Sequence, residues 1–251
     1  MQALMLAAGA GVRMKGPLNK GLITIAGKSL FERFVGSLGH AAITRLTVVT
    51  GHNADGLERA VLNVAGDLEV TFVRNEDYAV TNNIWSLYLA RDRFAEDDTI
   101  LLESDLIYDE GLLKKLVEFP FPNVAVVAEL ESRMNGTTVL LEGNKISKFV
   151  LQNEFEQKNF GVSYKTVNIY KLSREYIRNA YIPALESCIN DFGRNRFYEA
   201  VFKGIPDSPH TEVRAFVLEG EWYEIDTEAD LNVARAIFEK PGGGNQRKGE
   251  S

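Results

Sequence analysis

Short, almost unbroken apolar runs alternate along the chain, up to about residue 130, with longer stretches whose apolar positions recur every three or four residues. The first pattern fits strands buried on both faces, the second helices with one apolar stripe. It predicts strands at Ala3–Leu6, Leu46–Thr50, Val70–Val73, Thr99–Glu103 and Val124–Ala128. Helices are expected at Ser29–Leu38, Ala54–Val64, Asn83–Phe94 and Glu110–Val117, with Ser29 and Asp109 as caps. Strand and helix in alternation build a mostly parallel sheet with helices on both faces.

Beyond residue 130 the texture changes. Thr137–Leu141 and Lys145–Leu151 flank Glu142-Gly143-Asn144, which predicts a β-hairpin. A strand at Tyr164–Tyr170 follows, then helices around Arg174–Ile189 and Arg196–Val201, strands at Val213–Leu218 and Trp222–Ile225, and a closing helix at Glu228–Phe238. Pro241-Gly242-Gly243-Gly244 ends that helix, and nothing after it is apolar. Residues 1–239 therefore read as one α/β domain, a Rossmann-like, mostly parallel mixed sheet with a small hairpin-and-helix insertion. Residues 240–251 read as a flexible tail or linker.

Composition narrows the function. A net charge of -7 and a pI near 5.2 exclude a nucleic-acid surface, which needs clustered Lys and Arg, but leave room for a free nucleotide. Cys188 is the single cysteine, so there is no internal disulfide and no thiolate metal cluster. This fits a cytoplasmic protein with Cys188 as a small apolar filler. The N-terminus lacks a basic lead-in, and Gly9 interrupts its apolar run far short of the roughly 20 residues of a membrane span.

The candidate chemistry begins where the first strand ends, at Leu6-Ala7-Ala8-Gly9-Ala10-Gly11-Val12-Arg13. Glycine permits unusual φ values, and small side chains leave backbone N–H groups open to a phosphate, with Arg13 adding a fork suited to phosphate oxygens. A purely structural turn remains an alternative. A dinucleotide fingerprint does not fit, because Met14 stands where its third glycine belongs and Thr50-Gly51-His52 where its acid belongs. No Gly-Lys-Ser/Thr closes the turn, which excludes a phosphate-loop NTPase. Two carboxylates, Asp105 and Asp226, each follow a predicted strand end, the edge where open α/β sheets bind ligands. Together they can hold a divalent ion, with Glu103 and Glu224 on the same faces; Asp226 can equally cap the last helix.

The run Leu6–Arg13, then Asn19-Lys20-Gly21-Leu22 and Ile25-Ala26-Gly27-Lys28-Ser29-Leu30, resembles the signature of nucleotidyltransferases that activate sugars and alcohol phosphates. The resemblance implies that Arg13 and Lys20 hold a triphosphate on the turn Leu6, Ala7, Ala8, Gly9, Ala10 and Gly11, and that Asp105 and Asp226 hold Mg²⁺. Asn19 departs from the proline usual before that lysine, and the loop from Met14 to Lys20 is short. Lys20 as an ordinary surface lysine is the plain alternative.

The segment Asn82-Asn83-Ile84-Trp85-Ser86-Leu87-Tyr88-Leu89 is similar to cytidylyltransferases acting on phosphocholine and 2-aminoethylphosphonate, as are Glu103–Tyr108, Tyr164–Tyr170 and Trp222–Asp226. This implies CTP, with Asn82, Asn83 and Ser86 at the base; the alternative is a helix cap at Asn82 with Trp85 and Leu89 in the core. An amine-bearing acceptor needs carboxylates or aromatic faces for its cation and a basic group for its phosphoryl end. Glu129, Glu131, Trp222 and Tyr223 are candidates for the first, Arg133 and Lys165 for the second, with the insertion as the acceptor-binding part. Relatives of this kind include fusions to an aminotransferase, so the tail is either a severed linker or a natural terminus. Two other readings stay open: a nucleotidyltransferase acting on inositol phosphate or a sugar phosphate, and a nucleotide-binding regulatory module without turnover.

Overall fold

The computed structural model describes residues 1–9, 11 and 20–239. In chain order its elements are β1 (Gln2–Ala7), the tight hairpin β2 (Thr24–Ile25) and β3 (Lys28–Ser29), α1 (Leu30–His40), β4 (Arg45–Thr50), α2 (Ala54–Val64) and β5 (Glu69–Arg74). Then come α3 (Asn83–Leu89), α4 (Arg91–Phe94), β6 (Thr99–Glu103), β7 (Leu106–Tyr108), α5 (Leu112–Glu118), β8 (Val124–Glu129), β9 (Thr138–Glu142) and β10 (Lys145–Val150). β11 (Ser163–Leu172), α6 (Arg174–Tyr176), α7 (Ile182–Phe192), β12 (Arg214–Val217), β13 (Trp222–Glu224) and α8 (Glu228–Phe238) complete the fold.

Nine strands form one sheet in the order β5-β4-β1-β6-β11-β8-β12-β10-β9. β5, β4, β1 and β6 run parallel, β11 is antiparallel to β6 and β8, and β12 runs parallel to β8. The expected α/β architecture is present, with the predicted hairpin at the far edge as β9 and β10. β1 explains why both faces are covered. Successive side chains of a strand point to opposite faces, so Leu4 and Leu6 join α3 and α7 in one core, while Ala3, Met5 and Ala7 join α1, α2 and α5 in the other.

The helix predicted through Asn83–Phe94 is divided at Ala90, whose amide turns back to the Ser86 and Leu87 carbonyls and closes the first segment. Asp109 does not cap α5 directly: its Oδ1 accepts from the Gly111 amide at 2.9 Å, one residue before the helix begins. Ser29 does cap α1, in a reciprocal box with Glu32. Cys188 is buried in the core beside Tyr181, as a filler should be.

A small second sheet is decisive for the site. β7 leaves the end of β6 and pairs antiparallel with β13, matching Leu106 with Glu224 and Tyr108 with Trp222. α8 and the β2–β3 hairpin pack beside it through Ile23, Ile25, Leu30, Ile225 and Ala234. Asp105 immediately precedes Leu106 at the end of this pairing, and Asp226 lies two residues beyond Glu224. The tail beyond Glu239 and the turn residues Ala10 and Arg13 lie outside the described residues.

Candidate active site

A cavity of about 430 Å³ opens at the C-terminal ends of β1 and β6. Leu6, Ala7, Ala8, Gly9 and Gly11 form one wall. Gly11 has φ +56°, and a Cβ there would meet Lys20 Cγ at 3.4 Å, so a glycine brings the turn against the lysine stem. The Ala8 carbonyl accepts from the His52 amide at 3.0 Å, fixing the turn to the end of β4.

Lys20 enters the cavity from the start of a 3₁₀ turn, Lys20–Leu22. Its Nζ donates to Asp105 Oδ2 at 2.9 Å and to Asp226 Oδ1 at 2.5 Å. Burial would lower the pKa of this ammonium, but Asp105 and Asp226 outweigh that and hold it above the ordinary lysine range. Lys20 is therefore a fixed cation at the floor of the site, and the two aspartates expected on a metal meet on it. Asp226 does not cap α8; Thr227 does so in a reciprocal box with Asp230.

Around this pair the negative charge is dense. Ligand oxygens of Glu103, Asp105 and Glu224 lie within 4.8 Å of one another. Asp105 Oδ1 is buried and accepts no hydrogen bond among the described residues. Three hard oxygen donors, one of them unsatisfied, fit a divalent ion of the magnesium type. Burial, with Asp105, Glu199 and Glu224 nearby, pushes the Glu103 carboxyl well above the usual range. Burial likewise pushes Glu224 up to about 7, with Asp105 and Asp226 adding to the effect and Lys165 opposing it.

The paired asparagines line the same cavity. Asn82 caps α3, its Oδ1 accepting from the Asn83 amide at 2.8 Å. Asn83 is committed on both sides: Oδ1 accepts from the Tyr198 amide at 2.9 Å, and Nδ2 donates to Glu103 Oε1 at 3.2 Å. Ser86 Oγ accepts from Asn75 Nδ2 at 3.0 Å. All three line the cavity, together with Asn75, Tyr78, Thr81 and Phe197, which sequence reasoning misses. Asn75 follows the end of β5, and that strand-end position is the signal that could have found it. Trp85 is outside the core; it stacks on Tyr88 with ring centroids 4.8 Å apart, and Arg194 lies 4.0 Å from its ring centre.

The expected acceptor residues separate. Arg133, Lys165, Trp222 and Tyr223 line a neighbouring cavity of about 210 Å³ that also touches Glu224 and Asp226. Trp222 is buried against the core, and Arg133 covers the Tyr223 ring at 4.6 Å. Glu131 is turned onto Arg133 at 2.8 Å, and Glu129 is exposed at the end of β8; neither lines this cavity.

A family profile described as MobA-like NTP transferase domain matches residues 3–205. The CMP-5'-(3-aminopropyl)phosphonate synthase of Streptomyces rubellomurinus is 28% identical over 251 residues, 96% of this chain, which spans 39% of that relative's length. The CTP:phosphoglutamine cytidylyltransferase of Campylobacter jejuni is 24% identical over 264 residues, covering 93% of this chain and 98% of that one. Among solved structures, the CTP:phosphocholine cytidylyltransferase of Streptococcus pneumoniae matches with a TM-score of 0.77 at 17% identity, over 94% of this chain and 98% of that one, a likeness of fold. No helix among the described residues is long and apolar enough to cross a membrane.

Proposed function

We propose a cytidylyl transfer for this chain, which belongs to the MobA-like NTP transferase domain family: CMP passes from CTP to a small amine-bearing phosphonate or phosphate, and pyrophosphate leaves. The observation that carries the reading is Lys20 held between Asp105 and Asp226 beside the glycine turn, at 2.9 and 2.5 Å. A triphosphate on the turn would present its phosphoryl groups to that cation and to carboxylates able to hold a metal, which supports the reading. The named cytidylyltransferases among the relatives support CTP and a phosphonate-type acceptor.

An acceptor oxygen attacks the α-phosphorus in line; the new P–O bond forms as the bond to the β-phosphate oxygen breaks. A phosphonate or phosphate oxygen is largely ionised near neutral pH, so the attack asks for positioning rather than a protein base. Lys20 and the glycine-rich turn hold the pyrophosphate end and offset the charge it gains. Arg13, seven residues before Lys20 in the sequence, is the natural second cation. Asp105, with Asp226, Glu103 and Glu224 at hand, would hold Mg²⁺, which supplies positive charge beside the transferred group. Asn82, Asn83 and Ser86, which line the same cavity, receive the base, Asn83 as a fixed support rather than a free reader. Lys165 stands ready for the acceptor's phosphoryl end.

The test is pyrophosphate release with Mg²⁺, each of the four common ribonucleoside triphosphates and a panel of 2-aminoethylphosphonate, phosphocholine, phosphoethanolamine, inositol phosphate and glucose 1-phosphate. Release with CTP and an amine-bearing acceptor is expected. Turnover only with inositol phosphate or a sugar phosphate would replace the acceptor class, and none with any pair would leave a binding module.

A further inference from the structure

Beyond the floor of the nucleotide cavity lies a larger one, of about 830 Å³, which shares Glu103, Glu224 and Asp226 with it. One of its lining residues is out of place by ordinary rules. Glu199, in the 3₁₀ segment Tyr198–Gly204, is 4% exposed, and its Oε2 accepts no hydrogen bond among the described residues. A buried carboxylate oxygen without a donor is costly unless something else supplies the donor. Burial pushes this carboxyl up, and Lys165 and Thr137 restrain the shift.

Lys165 completes the pattern. It is 2% exposed, its Nζ donates to the Thr166 carbonyl at 2.5 Å, and it lines the same cavity. Gly136, at φ +98°, lies against it; a Cβ there would sit 3.3 Å from Nζ. Cation and carboxylate thus line one chamber within electrostatic reach of each other, the complement of a zwitterion with an anionic and a cationic end.

The kind of cation follows from what the chamber offers. A primary ammonium brings three N–H donors and needs acceptor oxygens, whereas a quaternary ammonium has none and needs aromatic faces. The aromatic faces are packed in the core, covered by arginines or turned largely to solvent. Trp222 is in the core, Arg133 covers Tyr223, Arg196 lies 4.6 Å from the ring centre of Phe192, and Phe197, which also lines the chamber, is 57% exposed. We propose that Glu199 receives a primary ammonium of the acceptor in this chamber and selects it against a quaternary one. The assignment rests on the cytidylyl-transfer reading and names the ion partner for its acceptor.

The experiment compares 2-aminoethylphosphonate, ethylphosphonate and phosphocholine as acceptors for CTP-dependent pyrophosphate release in the wild type and in Glu199→Gln. The wild type is expected to prefer 2-aminoethylphosphonate to both others. Glu199→Gln should lower kcat/KM for 2-aminoethylphosphonate by about 10- to 100-fold, mainly through KM, and leave ethylphosphonate within about twofold. Phosphocholine used as well as 2-aminoethylphosphonate by the wild type overturns the proposal, as does an equal loss on both phosphonates in the variant. If no acceptor supports pyrophosphate release, the transfer reading fails by itself. Calorimetric titration of 2-aminoethylphosphonate into both proteins then decides the ammonium site: weaker binding in Glu199→Gln upholds it, and equal or absent binding in the two overturns it.

Discussion

The Ile225 amide donates to the Asp105 carbonyl at 2.9 Å, extending the pairing of Leu106–Tyr108 with Trp222–Glu224 by one step. Through that bond two strand ends far apart in sequence present Asp105 and Asp226 to one ammonium. Residues that act as a unit lose activity together rather than independently. Asp105→Asn and Asp226→Asn should each lower kcat by about 10²- to 10³-fold, and the double variant should fall far short of their product. Steady-state pyrophosphate release in the four proteins checks this, and multiplicative losses would mean separate roles.

Lys20→Met removes the cation from that unit. The expected loss in kcat/KM is about 10²- to 10³-fold, as for other charge-stabilising donors. Thermal unfolding without nucleotide should also move to lower temperature, because Asp105 and Asp226 are left facing each other without their partner. Lys20→Arg should not restore activity, since a planar guanidinium cannot take the place of a compact ammonium held at 2.9 and 2.5 Å. Kinetics and a melting curve on both variants test it.

Periodicity made much of this fold legible. Ala54–Val64, Thr99–Glu103 and Glu228–Phe238 have the limits their apolar spacing predicts. The strand Leu106–Tyr108 was not legible, because three residues carry no period and its partner at Trp222–Glu224 is remote in sequence. The two aspartates were visible as strand-end acids, but their meeting on Lys20 depends on that non-local pairing. Glu199 gave no signal either. An acid in Tyr198–Gly204 reads as solvent-facing, yet the fold leaves Glu199 only 4% exposed. Glu129 and Glu131 stood out by charge alone, which does not say which way a side chain turns.

Asn82 and Asn83 are adjacent, yet their substitution should have different consequences. Asn83→Ala removes the acceptor for the Tyr198 amide and the donor to Glu103, so it should destabilise the fold by about 1–3 kcal/mol and lower kcat. Asn82→Ala loses a cap contact, about 0.5–2 kcal/mol, and should act mainly by raising the KM for CTP. Denaturant unfolding with CTP titration separates them. A larger KM effect at Asn83 than at Asn82 would make Asn83 the base reader and Asn82 the support.

Two glycines predict opposite signs for one substitution. A Cβ on Gly51 would lie 2.7 Å from the Ala8 carbonyl oxygen and 2.9 Å from Tyr78 Cβ, neither at the end of a flexible chain. Gly51→Ala should therefore cost about 1–3 kcal/mol and displace the turn, raising the KM for the triphosphate. Gly39, within α1, has nothing within 4 Å of its Cβ position, so Gly39→Ala should stabilise by about 0.4–1 kcal/mol. Paired thermal melts decide both.

Arg74 holds the Glu58 carboxyl below its usual range, with the Thr50 hydroxyl donating at 2.8 Å in support and burial opposing. A carboxylate whose pKa is depressed by folding contributes stability above the ordinary carboxylate range and loses it as pH falls through that range and below. Wild type should thus exceed Glu58→Gln in melting temperature near neutral pH, and the gap should close from about pH 5 downward. Because the Arg74 side chain is 45% exposed, added salt should narrow the neutral-pH gap as well. A gap that stays constant from neutral to acid would place the effect of Glu58 in packing rather than in its charge.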